Sequence, residues 1–163
     1  MRFQQGENKF RIIGASEDKP TPGFIHGTLG WTVEDGKKRP IRWAEGEQAP
    51  MSFEDKPRAF YAFVVYNYNE SKVQILEMTQ AKLQAELLQL ANDEDWGDPK
   101  EYDISIVKTG EGMETRYNTV PKPKKAQTQE IQQAFADAEI NLMALFSGDD
   151  PFAPVSGAKK DPF

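Results

Sequence analysis

The 163-residue chain contains no cysteine and one histidine, His26. Without cysteine there is no disulfide, no thiolate nucleophile and no thiolate metal ligand. A lone histidine with no H-x-x-H neighbour completes neither a zinc site nor a nucleophile–base pair. In GFIHGTLG it reads as an ordinary loop residue. No run approaches the roughly 18 apolar residues of a membrane span. The start, MRFQQGENKF, lacks the apolar centre of a signal peptide, so no membrane partner is expected and a cytoplasm suits the chain. The glycines match neither a Walker loop nor a dinucleotide fingerprint. Asp93 and Asp95 could hold Mg²⁺, but acidic loops commonly follow helices without any metal. The expectation is a protein that is not an enzyme and carries no cofactor.

Acidic charge is in excess, at a net −6, but it is unevenly spread. Residues 93–103, DEDWGDPKEYD, hold six acids and one lysine, a net of −5 in one loop. Residues 116–125, RYNTVPKPKK, have four basic residues and no acid, and so do residues 37–43, KKRPIRW. Phosphates respond to local potential and not to the global sum, so such segregation can support an electropositive groove on an acidic protein. Two solvated loops are the plainer alternative.

Asn8–Gly14 reads as a short strand ended by glycine, and residues 15–29 as a proline- and glycine-rich connection. WTVEDGKKRPIRW suggests a hairpin around Asp35-Gly36, a dipeptide that tolerates positive φ. AFYAFVVYNY (59–68) and KVQILEMT (72–79) carry the strongest strand signal. A helix follows, with Thr79 as its cap and Leu83, Leu87 and Leu88 on its apolar stripe. After the acidic loop comes a last hairpin, YDISIVKT and TRYNTV, closed by Pro121 and Pro123. A second amphipathic helix is expected over 128–146, with Ile131, Phe135, Ala138, Leu142 and Phe146 on one face. The order predicts a mainly β fold. With the hairpin set aside it is that of a five-stranded OB-fold barrel, with the hairpin inserted between the first and second strands. One helix lies between the third and fourth strands, and a C-terminal helix is added. The domain division expected is 1–125 for the barrel, 126–146 for the helix and 147–163 for a disordered tail.

Five of the ten residues at 59–68 are aromatic. Strand side chains alternate, so Phe60, Ala62, Val64, Tyr66 and Tyr68 take one face, and Tyr61, Phe63, Val65 and Asn67 the other. A small barrel needs one face for its core, leaving surplus rings outside as a stacking platform for bases. Trp31, Trp43, Tyr61, Tyr66, Tyr68 and Tyr117 are the candidate rings. Lys38, Arg39, Arg42, Arg58, Lys72, Lys108, Arg116 and Lys122 are the candidate phosphate contacts. The ligand expected from them is a single-stranded nucleic acid, gripped between the inserted hairpin and the 59–79 hairpin.

ENKFRI, Trp31, RPIRW, AFYAFVVYNYNESKVQILEMTQ, DWGDPKEYDISIVKTGEG and ETRYNTVPKPKK together resemble the single-stranded DNA-binding proteins of tailed bacteriophages, over about residues 6–125. The resemblance implies an OB-fold and sequence-tolerant binding of single-stranded DNA. It also implies a role in phage replication, recombination or repair in the bacterial host cytoplasm, and no enzyme activity. The end of the chain is similar to the Asp-(Ile)-Pro-Phe tip of bacterial single-stranded DNA-binding proteins, which docks replication and repair partners. Asp161, Pro162 and Phe163 match that tip, with Lys159-Lys160 where acids are usual. Asp149, Asp150 and Phe152 form an internal acidic copy. These six residues are the candidate contacts to phage or host replication proteins. An adaptor with little DNA affinity of its own is the alternative function. Oligomeric state is left open, with a dimer as one option.

Overall fold

The computed structural model describes residues 1–14, 23–48 and 54–152, and of residues 54 and 55 the backbone alone. The protein is mainly β: among the described residues, seven strands form one antiparallel open sheet, accompanied by three α-helices. The strands are β1 (Gly6–Ile12), β2 (Phe24–Glu34), β3 (Lys37–Ala44), β4 (Glu54–Asn67), β5 (Lys72–Met78), β6 (Tyr102–Thr109) and β7 (Arg116–Lys124). Their order is β3-β2-β4-β1-β6-β7, with β5 on the other edge of β4. Helix α1 (Ala81–Asn92) joins β5 to β6, and α2 (Gln129–Asp137) and α3 (Ala144–Ser147) follow β7.

The expected barrel is not closed. Pairings β1·β4, β4·β5, β1·β6 and β6·β7 are formed, but among the described residues no ladder joins β5 to β7. The amino-terminal segment bridges that opening. The Met1 nitrogen donates to Ile75 O at 2.5 Å, and the Phe3 ring lies 5.8 Å from that of Tyr117. Buried Asn8 pins the segment, donating to Gln4 O, Gly6 O and Ile106 O and accepting from Gln4 N. Helix α1 covers the same side. Its buried Gln84 donates to Ala59 O and Met78 O, tying the helix to the ends of β4 and β5. The helix begins after Gln80, not at a Thr79 cap.

The hairpin is longer than expected and is part of the sheet. Asp35 and Gly36 turn it with φ of 52° and 73°, but β2 starts at Phe24, inside the stretch read as a loop. It pairs directly with β4, so no groove separates the two hairpins. Strand β7 runs through Pro121 and Pro123, which an edge position tolerates because no neighbour needs their missing N–H.

The larger departure is on the second face of β4. Phe63 and Val65 point into one core with Phe10, Ile12, Leu76, Leu83, Leu87 and Ile104. The opposite side is covered as well. Phe60, Ala62 and Val64 pack with Ile25, Leu29, Ile140 and Leu142, and Tyr66 packs with Ile13 and Ile131. The surplus rings expected outside are therefore core, because the chain's own C-terminal segment covers them. That segment is two short helices and not one. Ile140 and Leu142, two apart, both enter the core, which extended chain allows and a helix does not. Asn141 N also donates to Pro151 O at 2.8 Å, folding the following chain back.

Candidate functional site

Alternation along β2 sends Ile25 and Leu29 to the second core and Phe24, His26 and Thr28 to the other side. Cross-strand register then assembles a strip. Phe24 faces Phe63, His26 faces Tyr61, and Thr28 faces Trp43 on β3. Phe24 lies 4.8 Å from Phe63 at 29°, and 5.5 Å from Tyr61 at 84°. His26 lies 5.7 Å from Phe24 and 6.4 Å from Tyr61. Phe24 is 41% exposed, the His26 side chain is 48% exposed and Tyr61 is half-buried, so three mutually supporting rings meet water. The His26 Nδ1 sits 3.1 Å from Glu45 Oε2, which orients the imidazole along the strip. Gly27, between them, is required on the far side: a Cβ there would lie 3.2 Å from both the Phe60 and Phe146 rings. The same Cβ would collide with the Trp43 carbonyl oxygen, so any larger residue would push β2 from β3 and disturb the strand that carries Phe24 and His26.

The residues nominated by the sequence fall into three groups. Tyr61, Trp43 and Arg39 share the strip's face, since Arg39, Ile41 and Trp43 alternate along β3 and Trp43 is opposite Thr28. Exposed Arg39 pairs with Glu34 at 3.4 Å. Trp31, Lys38, Arg42 and Arg58 occupy the opposite face, with Lys38 Nζ 5.3 Å from the Trp31 ring centre. The two tryptophans thus cannot stack on one strand from the same side. Arg42 is engaged in a bidentate pair with Glu77, at 2.6 and 3.0 Å. Tyr66 is a core residue whose hydroxyl donates to Glu130 at 3.3 Å, and burial raises its pKa. Lys72 is exposed beside Glu70 at 3.7 Å. At the far end of the sheet, Lys108 pairs across β6–β7 with Tyr117, which packs on Phe3, and Arg116 is exposed.

The third group surrounds a buried ion cluster on the outer side of β1, β6 and β7. Asp103, 2% exposed, accepts from Arg11 Nη1 at 3.2 Å and from the Tyr68 hydroxyl at 2.8 Å. Lys125 stands 3.3 Å and Lys9 3.7 Å from its other oxygen. Burial alone would push the Asp103 carboxyl up, but hydrogen bonds from Tyr68, Arg11 and Lys125 together hold it below the usual carboxylate range. Tyr68 is shifted up by burial and by its bond to Asp103, so it remains a phenol. Lys9 lies 4.6 Å over its ring. Lys122 pairs with Glu7 at 3.4 Å and Lys124 with Glu101 at 3.9 Å. The acidic 93–103 loop is thereby partly neutralised, with Asp98, Glu101 and Asp103 all facing cations.

Of the tail candidates, Asp149, Asp150 and Phe152 are described. Asp149 Oδ2 accepts from Ser147, Asp150 Oδ1 accepts from the Phe152 nitrogen, and the Phe152 ring is 54% exposed. Asp161, Pro162 and Phe163 lie outside the described residues. Phe24, unmarked in the sequence, and His26, expected in a loop, both lie on β2. Their signal was the alternation Phe24-Ile25-His26-Gly27-Thr28-Leu29, hidden by flanking prolines and glycines. Comparison with family models, curated proteins and solved structures returns no match.

Proposed function

We propose that the protein is a non-catalytic, sequence-tolerant single-stranded DNA-binding protein of phage replication and recombination. We further propose that β1, β4, β5, β6 and β7 are an OB-fold barrel left open between β5 and β7. Four of the five barrel pairings and the helix between β5 and β6 support that reading of the fold. The observation that carries the function is the strip of Phe24, His26 and Tyr61, half-exposed on a rigid sheet and continuous with Trp43 and Arg39. Exposed rings held by cross-strand register present π-faces to any base, and every base stacks whatever its identity. Arg39 and Lys37, which alternate onto the strip's face of β3, supply phosphate contacts without base preference.

Tyr61→Ala tests this directly. Its ring is half-buried at the margin of the core, so Phe24→Ala, at a more exposed ring, is measured beside it. Each substitution should weaken oligo-dT binding by about 1–3 kcal/mol per lost stack. Unchanged affinity in both folded variants would remove the strip from the interface.

A further inference from the structure

We infer that the strip ends in a cleft that takes one unstacked base of the bound strand. The inference rests on the DNA-binding reading and names a subsite within it. The cleft has a volume of about 420 Å³, within the roughly 300–1,000 Å³ of small-molecule sites. One wall is Phe24, Tyr61 and Phe63, and the other is Leu87, Leu88 and Ala91 of α1.

Three features point to a nucleobase. First, two large apolar groups, Phe24 at 41% and Leu88 at 49% exposure, border the same hollow. A flat heterocycle between an aromatic wall and an aliphatic one buries both faces and removes those groups from water. Second, the cleft shares Phe24 and Tyr61 with the strip, so a strand laid along the strip reaches the cleft without a break. Third, Lys100 lines the far end beside Asp98, their charged atoms 3.2 Å apart. Its side chain is about half-exposed and lines the site, where an incoming phosphate can share its ammonium. Gly14 leaves room for the Lys100 stem, whose carbons a Cβ at that position would strike. Apart from the Tyr61 hydroxyl, the two facing walls are hydrocarbon and ring surface, with charge confined to the Asp98–Lys100 end, so the pocket discriminates little between bases, consistent with sequence-tolerant binding.

The walls are themselves fixed. Gln84 ties α1 to β4 and β5, and Leu83 and Leu87 are buried in the core beneath. Capture therefore needs no rearrangement of the helix, only extrusion of one base from an already flexible single strand.

The test is binding of the full chain to fluorescein-labelled oligo-dT, with the parent, Ala91→Phe to fill the cleft and Leu88→Ala to remove its exposed lip. Ala91→Phe should bind about 5- to 100-fold more weakly and Leu88→Ala several-fold more weakly, with the salt slope unaltered. Oligo-dT carrying 4-thiothymidine should crosslink to peptides covering 24–31 and 81–92. If the parent and Arg39→Ala show DNA binding and its loss, yet Ala91→Phe binds as the parent does, the subsite is overturned and the DNA-binding reading stands. If Ala91→Phe lowers the melting temperature and leaves affinity intact, the cleft is filled by protein and the subsite is again overturned. If the parent does not bind oligo-dT at all, both fall together.

Discussion

Asp103 shows how one buried residue sets the behaviour of a surface. Four cationic or hydroxyl donors converge on it, so removing its charge leaves Arg11, 1% exposed, without a counter-ion. Breaking a buried pair in this way costs about 3–5 kcal/mol. Asp103→Asn should therefore lower the melting temperature by several degrees near neutral pH. The pH dependence has a definite sign. A carboxyl whose folded pKa is depressed stabilises the protein above its unfolded value, about 3.9, and loses that contribution as pH falls through the folded value. The parent should thus lose stability below about pH 4, and Asp103→Asn should show a flatter acid limb. Parallel acid limbs would mean the network adds nothing. Tyr102 makes the opposite case. Its ring is fully buried 5.5 Å from Trp96, and its hydroxyl has no partner among the described residues. An unpaired buried hydroxyl costs about 1–3 kcal/mol, so Tyr102→Phe should melt at or above the parent temperature. A clear decrease would reveal a partner for that hydroxyl.

Among the elements, the C-terminal segment decides which surfaces are open. Leu142 is 0% exposed in a core shared with β2 and β4. Leu142→Ala should destabilise the whole protein by about 2–5 kcal/mol, read as one cooperative transition. A melting curve like the parent's would show that the segment does not pack on the sheet. How far such elements were legible depended on local signals. Strand β6 and the Asp35-Gly36 turn were read at their observed positions because alternation and turn chemistry are written in adjacent residues. The start of β2 was not, because Gly27 and Gly30 look like loop residues until Phe146 is seen packing above Gly27. The break between α2 and α3 was also hidden. Ala138, Leu142 and Phe146 fit a helical stripe in the sequence, and only the burial of Ile140 beside Leu142 shows the extended chain between them. The site was half legible for the same reason. Tyr61 and Trp43 stood out by type, whereas the covering of Tyr66 and the pairing of His26 with Tyr61 are long-range facts.

At the scale of the whole molecule, the open sheet, its amino-terminal bridge and its C-terminal cover leave two kinds of free surface among the described residues. One is the aromatic strip with its cleft. The other is the ring of lysines around Asp103, where Lys9, Lys122 and Lys125 are partly exposed. An acidic protein can present both because one loop carries −5 of its net −6, and three of that loop's acids face cations. The central claim is that this chain binds single strands through rings and phosphates, with no regard for sequence. Titration of labelled oligo-dT and a mixed-sequence oligonucleotide across a salt series, with the full chain, tests it most directly. The two affinities should be similar and fall linearly in log–log form, with a slope of about −0.7 for each phosphate neutralised and a shallower slope in Arg39→Ala. An absence of binding at low salt, or an affinity that ignores salt, would contradict it.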